Sequence, residues 1–484
     1  MIPKHLLDTL ILILWMGAIG FAFSGWGGAV RRWVNRPTHE NSASNALRLT
    51  LTDIWLGVCV CITLTEFAHF FRPINWQVSL AVLGGGWLLT TWAWMRSISP
   101  FAAWPSPKFL VAWPRWIYVA GIVTVIGIWI AAAMMGASNY DSGLYHFGSI
   151  KWLNEHPITY GLVNLHTRFG YNQSYFALIA LLNLHPFYEP AYAATGLFLF
   201  LLTAFSCAYF LSCTIPNRRL IWAGLVVLLS GFSLKTSSPS PDIAVALFQI
   251  VIFIVLFEIL YNEHPLKRTA TSDAKLLTST RLTLLVILCV TAVTIKLSML
   301  LFCLGAMLVS LRPLWSWLKT QPSAAFKLIA LCSVMLVVHA LRGIALSGLP
   351  FYPSTFAGIW NRPYTPDLTR VIAEANSIYS WARLPGVSPD IVLRSWDWLT
   401  PWAAALPARF WTLTLLSTAL LLVNLALLIF SKQHRNNLKM YALYLPLVFG
   451  LTFWFLTAPD ARFLGAIPEL SIVLGSWLLW STIW

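Results

Sequence analysis

The sequence predicts an all-α fold, a polytopic transmembrane helical bundle. Three observations carry this. Hydrophobic residues make up 58% of the chain and charged residues only 10%. Mean hydropathy is +0.71. Apolar runs recur from one end of the sequence to the other. A soluble domain needs about a quarter of its residues charged to cover its surface, so most of this surface must face lipid.

A hydrocarbon core of about 30 Å takes about 20 apolar residues per helix. Candidate spans fall at 6–29, 49–71, 76–95, 116–136, 190–211, 220–234, 243–261, 281–295, 297–311, 325–346, 408–430, 439–457 and 467–484, about thirteen in all. Several are short, which tilt or local thinning accommodates. The run at 174–184 is too short to span and sits between Asn172 and His185-Pro186. It reads as an interfacial or re-entrant helix. The apolar run from Leu6 to Phe23 has no small-residue cleavage site after it and reads as an uncleaved first span.

The formal net charge is +15. Nucleic acid is excluded as a partner, because the basic residues gather on no single segment. They sit between apolar runs, as the positive-inside rule requires. The segments 31–48, 96–115, 212–219, 262–281, 312–327 and 431–439 hold 19 of the 32 Lys and Arg residues. This set is expected to be cytoplasmic. The segments 137–189, 235–242, 347–407 and 458–466 then lie on the outer face. The 26 Trp residues suit membrane–water interfaces. All seven Cys lie in or beside apolar runs, so neither a disulfide framework nor a Cys zinc site is expected.

Polar residues concentrate on the expected outer face. The densest segment, Asn139 to Phe176, carries Asp141, His146, Lys151, Glu155, His156, Asn164, His166, Arg168 and Asn172. The plain alternative is a solvated loop. Against that, the segment is rich in aromatic residues, and a carboxylate at a span end is costly unless it has a partner or a role. His146, His156 and His166 are ten residues apart, a spacing that matches no compact zinc motif. Asp242 follows Ser and Pro residues and opens a span, where it either caps a helix or serves a site. Lys296 stands alone in TAVTIKLSMLLF; it either snorkels to the interface or holds an anion. Arg342 precedes the broken turn SGLPFYPS, which contains Tyr352. Asp460 and Arg462 share the turn TAPDARF. Arginine suits phosphate or carboxylate through its planar fork of donors. Two acids and three cations thus arrive at one face from five segments.

These residues resemble the GT-C superfamily of membrane glycosyltransferases, over roughly residues 116–470. The resemblance rests on an acid just after a span (Asp141 in NYDSGLYH), a following interfacial helix and a second acid opening a later span (Asp242 in SPSPD). A group of uncharacterised bacterial GT-C-like membrane proteins is more similar still. It shares the YDSGLYH…GLVNLHTRFGYN, IKLS, RGIALSGLPFYPS and PDARF stretches. The GT-C acidic motif is often two adjacent acids, whereas Asp141 is followed by Ser142.

The resemblance implies a GT-C-like core at 116–346 with an outer loop at 137–189. Helices at 1–115 lie outside the usual core, a Trp-rich outer loop occupies 347–407, and C-terminal helices fill 408–484. It implies transfer of a sugar from a polyprenyl-phosphate donor to a glycan, lipid or protein acceptor, at the outer face of a bacterial inner membrane. Asp141 would be the base, with Asp242 and His146 beside it. Asp141 and Asp242 would hold any divalent cation, Mg or Mn. Lys296, Arg342, Arg462, Asn164, His166, Arg168, Tyr352 and Asp460 would bind substrate. A polymerase or ligase of lipid-linked glycans would use the same cations. A transporter or flippase would show internal repeats and charges near mid-span, and a non-catalytic scaffold would keep only the fold.

Overall fold

The computed structural model describes residues 4–35, 43–95, 115–137, 139–186, 192–214, 231–232, 235–261, 272–356, 358, 362–432, 435 and 437–483. Among these residues every regular element is helical. Eight helices among the described residues are long and apolar enough to cross a membrane, or up to nine if a pair bent by 63° is one broken span. This corrects the expectation of about thirteen. Among the described residues, the runs expected at 116–136, 190–211 and 467–484 give shorter apolar stretches, Thr124–Ala133, Ala194–Cys207 and Ile467–Ser481, within the helices Arg115–Ala133, Tyr192–Thr214 and Ile467–Ile483. The run at 297–311 is half of the bent pair. Most of the run at 220–234, most of the basic segment 96–115 and half of the basic segment 262–281 lie outside the described residues. Hydropathy counts apolar residues, and a half-helix inside a bundle is as apolar as a full crossing.

The first three helices are α1 (Lys4–Val34), α2 (Ala43–His69) and α3 (Trp76–Met95). α1 lies against both others at backbone distance. A Cβ on Gly27 would stand 1.7 Å from the Asp53 carbonyl oxygen, and one on Gly57 would stand 1.9 Å from that of Phe23. Small residues permit this approach where lipid gives no hydrophobic reason for helices to associate. The buried pair Arg31–Asp53, at 2.7 Å, joins the same helices. α2 also packs against later elements and so ties this layer to the rest.

Next come α4 (Arg115–Ala133), a π-helical turn (Ser142–His146), α5 (Phe147–Glu155), α6 (Ser174–Leu182) and α7 (Tyr192–Thr214). α6 has nine residues, and all of them are buried. It is held by α2, α5 and α7 and lies inside the protein rather than on lipid.

α8 (Pro241–Tyr261) is the central helix, with its whole apolar window buried. α9 (Ser272–Ile295) lies beside it, bound by the buried pair Arg281–Glu258 at 3.1 Å. α10 (Leu300–Val309) and α11 (Leu311–Thr320) form the bent pair, and α12 (Pro322–Ser347) follows. The segment after it folds as α13 (Leu368–Arg383), α14 (Pro389–Val392) and α15 (Leu399–Ala405). The chain ends with α16 (Ala408–Phe430), α17 (Tyr444–Thr457) and α18 (Ile467–Ile483), where α16 packs on α18 and α17 on α10.

Two strongly apolar helices meet opposite fates. The apolar window of α8 is 100% buried and that of α16 only 6%. Polar residues mark the difference. α8 carries Gln249, whose Oε1 accepts from the Ala466 N–H at 2.7 Å, and Glu258, which pairs with Arg281. Each needs a protein partner, because lipid supplies none. In α16 the one buried residue, Asn424, donates to the Gly475 carbonyl at 2.9 Å and marks the seam with α18.

Candidate functional site

Several helix ends converge at one end of the bundle. Each side chain of the site arrives there from a different element. Asp141 ends the link that follows α4. Its backbone N–H donates to Asn139 Oδ1 at 3.0 Å, and the chain enters the π-helical turn immediately afterwards. π-Helical turns recur at functional sites because the extra residue re-aims side chains. Here Asp141 Oδ1 accepts from Arg168 Nη1 and its Oδ2 from Arg462 Nη1, each at 2.8 Å. One carboxylate is thus held between guanidiniums from two distant segments.

Arg168 stands on a 3₁₀ turn whose cap is His166, with Nδ1 accepting the Arg168 N–H at 3.2 Å. Arg462 stands on the 3₁₀ turn Ala461–Leu464, where Asp460 Oδ1 accepts its N–H at 2.9 Å. The Asp460 carboxylate also lies 3.3 Å from Arg462 Nε. Burial works against the charged Arg462, yet Asp460, Asp141 and Asp242 together hold its pKa above the ordinary arginine value.

The second acid–cation pair adjoins the first. Asp242 lies in the first turn of α8, where Ser240 Oγ accepts its N–H at 3.3 Å. Ser240 therefore does the capping, and the Asp242 carboxylate is left for the Lys296 ammonium. Lys296 sits at the break between α9 and the 3₁₀ turn Leu297–Met299. The two pairs share one ring. Lys296 Nζ is 3.9 Å and Arg462 Cζ 4.7 Å from the centroid of Phe463. Ser142 Oγ and Ser238 Oγ, 2.7 Å apart, bridge the segments beneath.

His146 lies behind this cluster, buried, with Nδ1 3.4 Å from Ser142 Oγ and its ring against Tyr145. Burial lowers its pKa to about 4, against the pull of Asp141 and Asp242. The imidazole is therefore neutral near pH 7. Tyr145 also backs Arg168, whose Cζ stands 5.4 Å from its centroid.

Of the residues singled out from sequence, Asp141, Asp242, His146, Lys296, Arg168, Asp460 and Arg462 come together, with His166 positioning Arg168. Three do not join them. Arg342 is buried elsewhere, donating to Asn172 and lying 3.9 Å from Glu66. Asn164 donates to the Tyr364 carbonyl at 2.7 Å and fastens one loop to another. Tyr352 is buried against Tyr171. Sequence reasoning missed Tyr145, Phe463 and the Ser142–Ser238 bridge. It also missed a buried network in which His339 Nδ1 lies 3.0 Å from Glu66. That network had a visible signal, an acid and a histidine inside apolar runs; the aromatic rings had none.

The expectation that Asp141 and Asp242 hold a divalent cation meets a donor set of the wrong kind. Both oxygens of Asp141 face guanidiniums, and Asp242 faces an ammonium. Among the described residues no group of three or more His, Cys, Asp or Glu side chains is assembled for a metal.

Fold and hydropathy define a multi-pass helical membrane protein with an ion-paired cluster at one end. The chain belongs to the family described as Domain of unknown function (DUF8201), whose model matches residues 9–467. No curated protein and no solved structure matches it.

Proposed function

We propose that this protein is a membrane glycosyltransferase that moves a sugar from a polyprenyl-phosphate donor to a glycan, lipid or protein acceptor at the outer face of a bacterial inner membrane. One observation carries the reading: the Asp141 carboxylate is clamped between Arg168 and Arg462 beside the Asp242–Lys296 pair, with all five side chains partly open to the exterior. The cluster supplies both an acid that can take a proton and cations that can take a phosphate.

The two functions are coupled through Arg462. Its guanidinium donates to Asp141 Oδ2. A donor phosphate draws Arg462 and Lys296 towards itself and frees that oxygen. The acceptor hydroxyl then gives its proton to Asp141 while its oxygen attacks the anomeric carbon from the face opposite the phosphate. The bond from the anomeric carbon to the phosphate oxygen breaks, and its electron pair leaves on the lipid phosphate, stabilised by Lys296 and Arg462. Arg168 stays on Asp141 and fixes its orientation. Inversion at the anomeric carbon follows.

A transporter reading draws support from one observation, the burial of Glu66, His339 and Arg342 within span helices. Glu66 lies three residues before the end of α2 and Arg342 five before the end of α12. The charges therefore stand near span ends, where they fasten loops, rather than at mid-span.

The test is Asp141→Asn. An amide keeps the shape but cannot accept the proton, and loss of general-base help costs about 10²–10⁴-fold in rate. Transfer from a polyprenyl-phosphate sugar in membranes should fall by that factor, with the variant still monodisperse in detergent. Transfer within a fewfold of wild type would remove Asp141 from the mechanism.

A further inference from the structure

A cavity of about 410 Å³ adjoins the ion-paired cluster and shares Asp460 and Arg462 with it. This lies within the roughly 300–1,000 Å³ of small-molecule sites. Its other walls come from α13, α15, α16 and α18. Trp381, Trp402 and Phe410 supply aromatic surface, and Lys235, Arg409 and Glu469 supply charge. Trp381 is 53% exposed, so its ring is available, whereas Trp402 is fixed by donating to the Pro459 carbonyl at 2.7 Å.

The second observation is at Glu469. Its side chain is 8% exposed and its Oε1 lies 3.5 Å from Arg409, but its Oε2 is buried with no hydrogen-bond donor. A buried carboxylate oxygen without a donor is costly and calls for a ligand that brings one. A phosphate oxygen would repel it. A hydroxyl would satisfy it.

We propose that this cavity is a saccharide-binding site, in which a sugar ring lays its C–H face on Trp381, donates a hydroxyl to Glu469 Oε2 and accepts from Arg409. Aromatic faces paired with acceptors and donors match the amphipathic surface of a sugar. Naming this saccharide as the acceptor of the transfer rests on the glycosyltransferase reading; the saccharide site itself rests on the cavity. The ring would then lie beside Arg462, next to the base.

The purified chain in detergent is titrated with cellobiose, chitobiose and a glucuronate-containing disaccharide, followed by tryptophan fluorescence and calorimetry. At least one should bind, and Trp381→Ala and Glu469→Gln should each weaken it tenfold or more. Trp381 is exposed, so its variant tests the site even if Glu469→Gln fails to fold. Binding of none of the three, or binding indifferent to both variants, would overturn the proposal. The two readings fail separately. Saccharide binding with no detectable transfer leaves the cavity standing and removes the transferase. Transfer that needs Asp141 but keeps its acceptor KM in both variants removes the cavity.

Discussion

Asp141, Arg462 and Lys296 show how single side chains build this site. Each would be costly at a bundle end alone, and each is accommodated by an opposite charge that another segment brings. If Lys296 and Arg462 receive a phosphate, Lys296→Ala and Arg462→Ala should each weaken farnesyl phosphate binding. Loss of a charge-assisted contact is worth about 1.5–3 kcal/mol, roughly ten- to a hundredfold. Unchanged binding in the double variant would leave both residues with a purely structural part. His146 gives a second prediction. Its folded pKa is lowered to about 4 from an ordinary 6.5, chiefly by burial. The unfolded state therefore binds the extra proton first, and stability is full above pH 6.5 and lost as pH falls towards 4. The thermal midpoint in detergent should drop over that window, and His146→Gln should flatten the drop. At this scale the sequence disclosed the charged partners, because isolated charges in an apolar chain are conspicuous. It could not disclose which charges meet. Arg342 looked like a member of the cluster, yet it pairs across α2 and α12, a choice made by tertiary packing.

Helices were legible wherever apolar runs were long, and their neighbours were not. α8 and α16 have the same kind of composition, yet one is the centre of the bundle and the other its edge. Buried polar residues carried the distinction, since Gln249 and Glu258 demand partners. Length alone misled at 297–311, where the chain bends by 63° after a short helix. The seam between α1 and α2 was equally hidden, because a glycine in an apolar helix does not announce what it touches. Its consequence can be measured. Gly27→Leu would place side-chain atoms on the Asp53 carbonyl, and overpacking of this kind costs about 1–3 kcal/mol. The thermal midpoint should fall. Gly17→Leu on the same helix, where a Cβ meets nothing within 4 Å, should leave it unchanged. Equal effects of the two would mean that the seam contributes nothing.

The whole molecule is polarised, and its orientation in the membrane follows from that. α12 has 26 residues, so it is about 39 Å long, enough to cross. Its C-terminal end meets the segment bearing the site, since the Gly161 N–H donates to the Ala345 carbonyl. Its N-terminal end lies beside the basic turn of α1, where Lys327 Nζ reaches the Trp33 carbonyl at 2.8 Å next to Arg31 and Arg32. The far end thus gathers Arg31, Arg32, Lys319 and Lys327, and the positive-inside rule predicts that this end is cytoplasmic and the site end outward. Two exposed positions test this. Ser388 follows α13, whose Arg383 donates to the Thr457 and Leu456 carbonyls at the site end. Thr320 ends α11, two residues before the start of α12 at the other end. The six described native cysteines are buried, so background labelling should be low. In whole cells an impermeant maleimide should modify Ser388→Cys and leave Thr320→Cys untouched until the membrane is opened. Labelling of Thr320→Cys alone would turn the molecule over. The cluster would then face the cytoplasm, and a donor presented on the outer face could not reach it.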